Sequence, residues 1–236
     1  MTTFVLVHGG FHGGWCWKRL LPLLHAAGHD VYTPTLTGLG ERVHLAHPAI
    51  GLETHIQDIL NVFEYEDLNS VVLVGHSWGG ITITSVADRI PHRIAHLVYL
   101  DAAIPQNGQS TMGMLKDEAA EIYSEWAELI RTQGDGWRLP VPPNVIDMLG
   151  ITKPEDVQWV SERLTAHPSK PLEDPVLLTH HTVDIPSTFI ACIGTNPPGG
   201  TPSPEAAGRR YQELPTGHNA MVTMPEALAT FLMDVA

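Results

Sequence analysis

Residues 71–80 read Val71-Val72-Leu73-Val74-Gly75-His76-Ser77-Trp78-Gly79-Gly80. An apolar, mostly β-branched run breaks at a serine with a glycine two residues to either side, and a helical pattern follows. That is the G-x-S-x-G elbow in its strand-to-helix setting. A turn this sharp forces the serine backbone into a strained conformation, and a Cβ at Gly75 or Gly79 is expected to strike the neighbouring strand and helix. The result is a hydroxyl exposed at the top of a sheet.

Working outward from this elbow, strand-like runs fall at Phe4 to Val7, Asp30 to Tyr32, Ile94 to Leu100, Thr188 to Ile193 and Arg210 to Leu214. Helical patterns separate most of them: Trp15 to Ala27, the stripe Leu52, Ile56, Ile59, Leu60 and Phe63, Gly79 to Arg89, and Pro225 to Val235. Alternating β and α predicts an α/β fold with a mostly parallel sheet of about six strands, covered on both faces. From Pro105 to Pro186 no good strand occurs, but Met112 to Arg131 and Pro154 to Leu164 read as helices. An insertion of about eighty residues cannot be a bare loop. The expected organisation is therefore a core of residues 1–104 and 187–236, with 105–186 inserted as a helical cap.

Composition limits the partners. A formal net charge of -13 repels phosphate backbones and anionic lipid, so neither nucleic acid nor a membrane is an expected partner. The two cysteines, Cys16 and Cys192, lie outside any Cys/His ligand spacing. No metal, no cofactor and a reducing, cytoplasmic setting are expected; the sequence carries no signal for oligomeric state.

A serine hydroxyl is a weak nucleophile at neutral pH and needs an imidazole, itself oriented by a carboxylate. On an elbow of this kind the acid and then the histidine follow in chain order. Of fourteen histidines, His218 lies in the loop between the last strand and the closing helix, and is the expected general base; His25, His29, His92 and His96 are read as structural. The commonest place for the acid, after Thr188 to Ile193, reads Gly194-Thr195-Asn196-Pro197-Pro198 and holds no carboxylate. Asp101, ending the strand Ile94 to Leu100, is the expected acid, because neighbouring strands are only about 4.8 Å apart. Asp184 sits at the wrong end of its strand. The oxyanion of acyl transfer needs preorganised donors. The amide of Trp78 and one from the loop His8-Gly9-Gly10-Phe11-His12-Gly13-Gly14, assigned to Gly10, are the candidates. Phe11, Trp15 and Cys16 are expected to border an apolar pocket, with Trp126, Trp137 and Trp159 above it.

With these residues assembled, the chain resembles the α/β-hydrolase superfamily over nearly its whole length. Phe4-Val5-Leu6-Val7-His8-Gly9-Gly10, Gly13-Gly14-Trp15-Cys16-Trp17 and Gly75-His76-Ser77-Trp78-Gly79-Gly80 look like the branch of plant methylesterases and hydroxynitrile lyases. Thr33-Pro34-Thr35-Leu36-Thr37-Gly38-Leu39-Gly40-Glu41-Arg42 and Leu97-Val98-Tyr99-Leu100-Asp101-Ala102 look closer to bacterial esterases, including carbendazim-hydrolysing carbamate esterases. The resemblance implies a serine esterase acting on a small, mostly apolar carboxylic ester or alkyl carbamate. Hydroxynitrile lyases of the branch carry a lysine after the catalytic histidine and a threonine in the oxyanion loop; Asn219 and Gly9 stand there, which disfavours cyanohydrin cleavage. Haloalkane dehalogenases include members with the acid where Asp101 aligns, yet their nucleophile is an aspartate. A slow-turnover small-molecule receptor, a C-C hydrolase and a perhydrolase are the competing readings.

Overall fold

The computed structural model describes residues 1–179, 185–194 and 210–236. Six parallel strands form the main sheet: β1 (Thr3–Val7), β2 (Asp30–Tyr32), β3 (Val71–His76), β4 (Ile94–Leu100), β7 (Ser187–Cys192) and β8 (Arg210–Leu214). Their order is β2-β1-β3-β4-β7-β8. The chain moves outward from β1 to β2, then returns to place β3 on the other side of β1. Such a reversal opens a crevice at the carboxyl ends of the two central strands, where ligands bind in sheets of this kind. The loop after β1 and the serine after β3 therefore meet.

The strands are near-continuous hydrophobic runs because both faces are covered. Phe4, Leu6, Val72, Val74, Val98 and Leu100 point into one core cluster, with Leu24 and Leu228 from helices α1 (Leu21–Ala26) and α10 (Pro225–Met233). Val5, Val7, Val71, Leu73, Leu97 and Tyr99 point into the other, against Ile56 and Ile59 of α2 (Leu52–Tyr65) and Ile83 of α3 (Gly79–Arg89). The period of two along each strand divides the core between the faces.

Two expected helices are broken. Trp15 to Ala27 divides into a 3-10 turn over Gly14–Trp17 and α1, because Pro22 must enter at a helix start. Met112 to Arg131 divides into α4 (Thr111–Glu118) and α5 (Ala120–Gln133), hinged at Ala119 with φ -146° and ψ 58°. Ser110 caps α4 by accepting the Gly113 amide at 3.0 Å.

The segment from 105 to 179 continues with α6 (Val145–Leu149), α7 (Pro154–Ser161) and α8 (Lys170–Glu173). It also holds a short antiparallel pair that the sequence pattern did not foretell, β5 (Arg138–Leu139) with β6 (His167–Pro168). Trp126, Leu129, Leu139 and Leu149 join the same hydrophobic cluster as one face of the sheet. Polar contacts fix α7 to the core: Arg19 pairs with buried Asp156 at 2.7 Å and donates to the Val222 carbonyl at 2.7 Å. Its guanidinium lies 5.1 Å from the Trp159 ring, which Arg163 approaches at 5.2 Å. Among the described residues no helix is long and apolar enough to cross a membrane.

Candidate active site

Ser77 follows β3 at φ 54°, in the left-handed region that an L-residue with a side chain rarely adopts. The chain around it pins this conformation, since the Ser77 amide donates to Leu100 O at 3.1 Å and its carbonyl accepts from Gly80 and Ala103, both at 3.1 Å. A Cβ on Gly75 would sit 2.8 Å from the Gly79 carbonyl group, and one on Gly79 would sit 2.7 Å from Val7 O. Both elbow glycines are sterically required.

Asp101 ends β4 in the same left-handed region, at φ 44°. Its amide extends the sheet ladder to Ile190 O at 2.7 Å, and Oδ1 accepts the Cys192 amide at 3.2 Å across to β7. Oδ2 lies 2.6 Å from Nδ1 of His218. A fully hydrated carboxylate would wander; here the side chain is 1% exposed and held by two donors. The pairing assigns the Nδ1 proton of His218 to the acid and leaves Nε2 for the cavity. His218 follows β8 and precedes the short helix α9 (Ala220–Thr223). Thus β3, β4 and β8 deliver hydroxyl, carboxylate and imidazole to one edge of the sheet.

These three line one cavity of about 100 Å³, together with Gly10, Phe11, His12, His76 and Trp78 from the core and Leu115, Trp126, Pro142, Val145, Met148 and Leu149 from the inserted segment. Among the described residues the Ser77 hydroxyl forms no hydrogen bond, and the amides of Gly10 and Trp78 donate none within the backbone. Trp78 stands at the N-terminus of the eleven-residue α3, where amides point outward and the helix dipole favours negative charge.

Of the other expected pocket residues, Phe11 lines the cavity and packs on Trp78 with ring centroids 5.6 Å apart. Trp15 and Cys16 do not line it. Trp15 is drawn behind the wall, stacked on His12 at 5.2 Å and edge-on to Trp159 at 5.1 Å. Cys16 is fully buried in the core, and burial pushes its thiol well above the ordinary range. Trp126 reaches the cavity, while Trp137 and Trp159 face Arg138 and the pair Arg19 and Arg163 instead. His25, His29, His92 and His96 lie away from it. Asp184 and residues 195–198 fall outside the described residues. Among the described residues, no group of three or more His, Cys, Asp or Glu could hold a metal ion.

Three polar residues around the site escaped sequence reasoning. His12 bonds the Gly10 carbonyl through Nδ1 at 2.6 Å, and its Nε2 accepts from Asn219 Nδ2 at 3.0 Å. Burial holds its pKa down at about 4, so the neutral ring braces the glycine loop. His76 donates from Nε2 to the His218 carbonyl at 2.9 Å, its ring 4.6 Å from that of His218. Burial keeps His76 neutral as well. A histidine inside a glycine-rich loop and another beside the elbow serine were the available signals; neither spacing distinguishes a brace from a bystander.

Comparison with known proteins identifies the family and the fold. Residues 4–231 match the model of the alpha/beta hydrolase family. The chain is 36% identical to a carbendazim hydrolyzing esterase of Nocardioides sp. (strain SG-4G), with 97% of each covered. Among solved structures, an extracellular alpha/beta-hydrolase from a Paenibacillus species superposes with a TM-score of 0.88 at 23% identity, covering 100% of this chain and 99% of that one. A methylesterase from Arabidopsis superposes with a TM-score of 0.77 at 23% identity, covering 99% and 98%. By sequence match over nearly its whole length, the chain belongs to the alpha/beta hydrolase family.

Proposed function

We propose that the protein is a serine esterase that cleaves small, mostly apolar carboxylic esters or alkyl carbamates through an acyl-enzyme. The observation that carries this reading is the 2.6 Å contact of His218 Nδ1 with buried Asp101, on the wall of the cavity that the strained Ser77 also lines. Ser77 Oγ attacks the substrate carbonyl while His218 Nε2 takes its proton. The imidazolium so formed is stabilised by Asp101, which keeps its own charge. The oxyanion of the tetrahedral intermediate is received by the amides of Gly10 and Trp78. His218 then returns the proton to the departing alcohol, and a water activated by the same ring releases the acid. A carbamate follows the same course through a carbamoyl-enzyme.

The apolar lining supports a substrate with little charge, since Leu115, Trp126, Val145, Met148 and Leu149 offer no partner to an ionised group. The relative that hydrolyses carbendazim, a carbamate, makes carbamates the second substrate class to test. The test is labelling with a fluorophosphonate, followed by peptide mapping and a panel of aryl esters and alkyl carbamates. Modification at Ser77 and multiple turnovers on the panel are expected. Labelling elsewhere removes Ser77 as nucleophile; labelling at Ser77 without turnover favours a receptor of the same fold.

A further inference from the structure

A second, smaller cavity of about 20 Å³ lies behind the catalytic one. Its lining includes His8, Gly10, His55, Trp78 and His167. Only Gly10 and Trp78 border both cavities. The indole is wedged between them: its ring lies so close over the Gly10 Cα that any Cβ there would collide with it. It also meets Phe11, Trp126 and His167 with centroids 5.6, 5.2 and 5.5 Å away. The rear chamber has room for about one water-sized group.

Its lining is polar in a particular way. His8 is bonded at both ring nitrogens, to Gly9 O at 2.8 Å and Leu36 N at 3.1 Å. His55 and His167 are each bonded at one, to Thr37 O at 3.0 Å and Pro168 O at 2.7 Å, so among the described residues each keeps a second nitrogen without a protein hydrogen bond. Both rings are nine-tenths or more buried and lie 5.7 Å apart beside the chamber. Burial holds them at about 4 and about 3, so they offer neutral donors or acceptors and no charge.

Resting on the esterase reading, we infer that the Trp78 side chain is a partition that sets acyl-chain length: it ends the acyl pocket at the indole and seals off a histidine-lined chamber suited to a small, uncharged polar terminus. The acyl side is indicated by the chemistry. The leaving alcohol departs toward His218, which protonates it and does not line the rear chamber, whereas Gly10 and Trp78, the proposed oxyanion donors, border both cavities and place that chamber on the oxyanion side. Trp78→Ala keeps the backbone amide and removes the wall.

The test uses p-nitrophenyl esters from acetate to octanoate, together with the 6-hydroxyhexanoate, on wild type, Trp78→Ala and the milder Trp78→Leu. The ratio of kcat/KM for octanoate over acetate should rise by about tenfold or more in Trp78→Ala, a span typical of differences of a few methylenes. The hydroxyhexanoate should gain over hexanoate, and adding His167→Phe should cancel that gain. Chain-length ratios within twofold of wild type in folded Trp78→Ala and Trp78→Leu protein would overturn the partition. A second arm needs no catalysis: thermal stabilisation by 1-alkanols from butanol to octanol should extend to longer chains in the variants. An unchanged length dependence overturns the inference even if wild type hydrolyses esters. If wild type hydrolyses none, the esterase reading falls while the alkanol arm still decides the partition.

Discussion

The two walls of the catalytic cavity are built on different terms. The core wall carries Ser77, His218, Asp101 and the amides of Gly10 and Trp78, each within four residues of the carboxyl end of a strand. The opposite wall, from the segment after β4, carries Leu115, Trp126, Pro142, Val145, Met148 and Leu149 and no ionisable group. Positions that must hold to about half an ångström belong on rigid elements, whereas an apolar surface tolerates adjustment. On the esterase reading, chemistry then belongs to the core wall, while substrate choice is shared between the segment that faces it and the Trp78 side chain.

The sharpest way to break this division is Ser77→Ala, which should lower turnover of an aryl ester by roughly 10⁴-fold or more. Retained activity in a steady-state assay would place the nucleophile elsewhere. Asp101→Asn should cost on the order of 10³- to 10⁴-fold in kcat with KM little changed, because the amide misassigns the His218 tautomer without emptying the site. A loss no larger than tenfold would demote Asp101 to a backbone brace.

The pH dependence of stability tests the buried histidines, of which His12 lines the catalytic cavity and His8, His55 and His167 line the chamber behind it. Burial lowers the folded-state pKa to about 3 in His8 and His167 and about 4 in His12 and His55, below an unfolded value near 6.5. Their contribution is complete above pH ~6.5 and is lost as pH falls toward the folded values, because the unfolded chain binds the protons. By pH ~5.5 each should cost roughly 1 kcal/mol. Denaturant melts should therefore weaken steeply below pH ~6.5, and a flat profile down to pH ~4.5 would show these rings to be hydrated.

Smaller effects belong to the apolar wall. Trp126→Ala should lower kcat/KM for a bulky ester by about tenfold, chiefly through KM, since uniform binding is what it removes. A pure kcat defect would give that wall a share in the chemistry. Arg19→Ala should cost about 1–3 kcal/mol in urea unfolding by stranding buried Asp156, with a lesser effect on turnover. If turnover falls more than stability does, the attachment of α7 also positions the catalytic wall.

The sequence revealed the core wall more fully than the wall above it. Strand periodicity placed all six main strands within a residue or two, and the elbow, the loop after β8 and the end of β4 delivered Ser77, His218 and Asp101 to one edge. Local rules sufficed there because strand ends in a parallel sheet are forced neighbours. Trp15 and Cys16 were expected at the pocket, but in the 3-10 turn Gly14–Trp17 the first stacks on His12 and the second is buried in the core, an outcome of backbone geometry that apolar spacing does not encode. In the inserted segment, the break at Ala119 and the pairing of Leu139 with His167 depend on tertiary contacts far apart in the chain. The braces His12, His76 and Asn219 acquire their roles only when β1, β3 and the loop after β8 converge.

Ser77 and Asp101 both sit at positive φ, where a side chain is at a conformational disadvantage. The chain thus carries the proposed nucleophile and its proposed acid at two places whose backbone conformation favours glycine. Asp101 offsets its strain through its bonds to the Cys192 amide and His218, whereas the Ser77 hydroxyl has no such partner among the described residues. Random variation screened for heat resistance alone should therefore accept glycine at Ser77 and yield hardier, inert protein, so selection for durability must be coupled to selection for turnover.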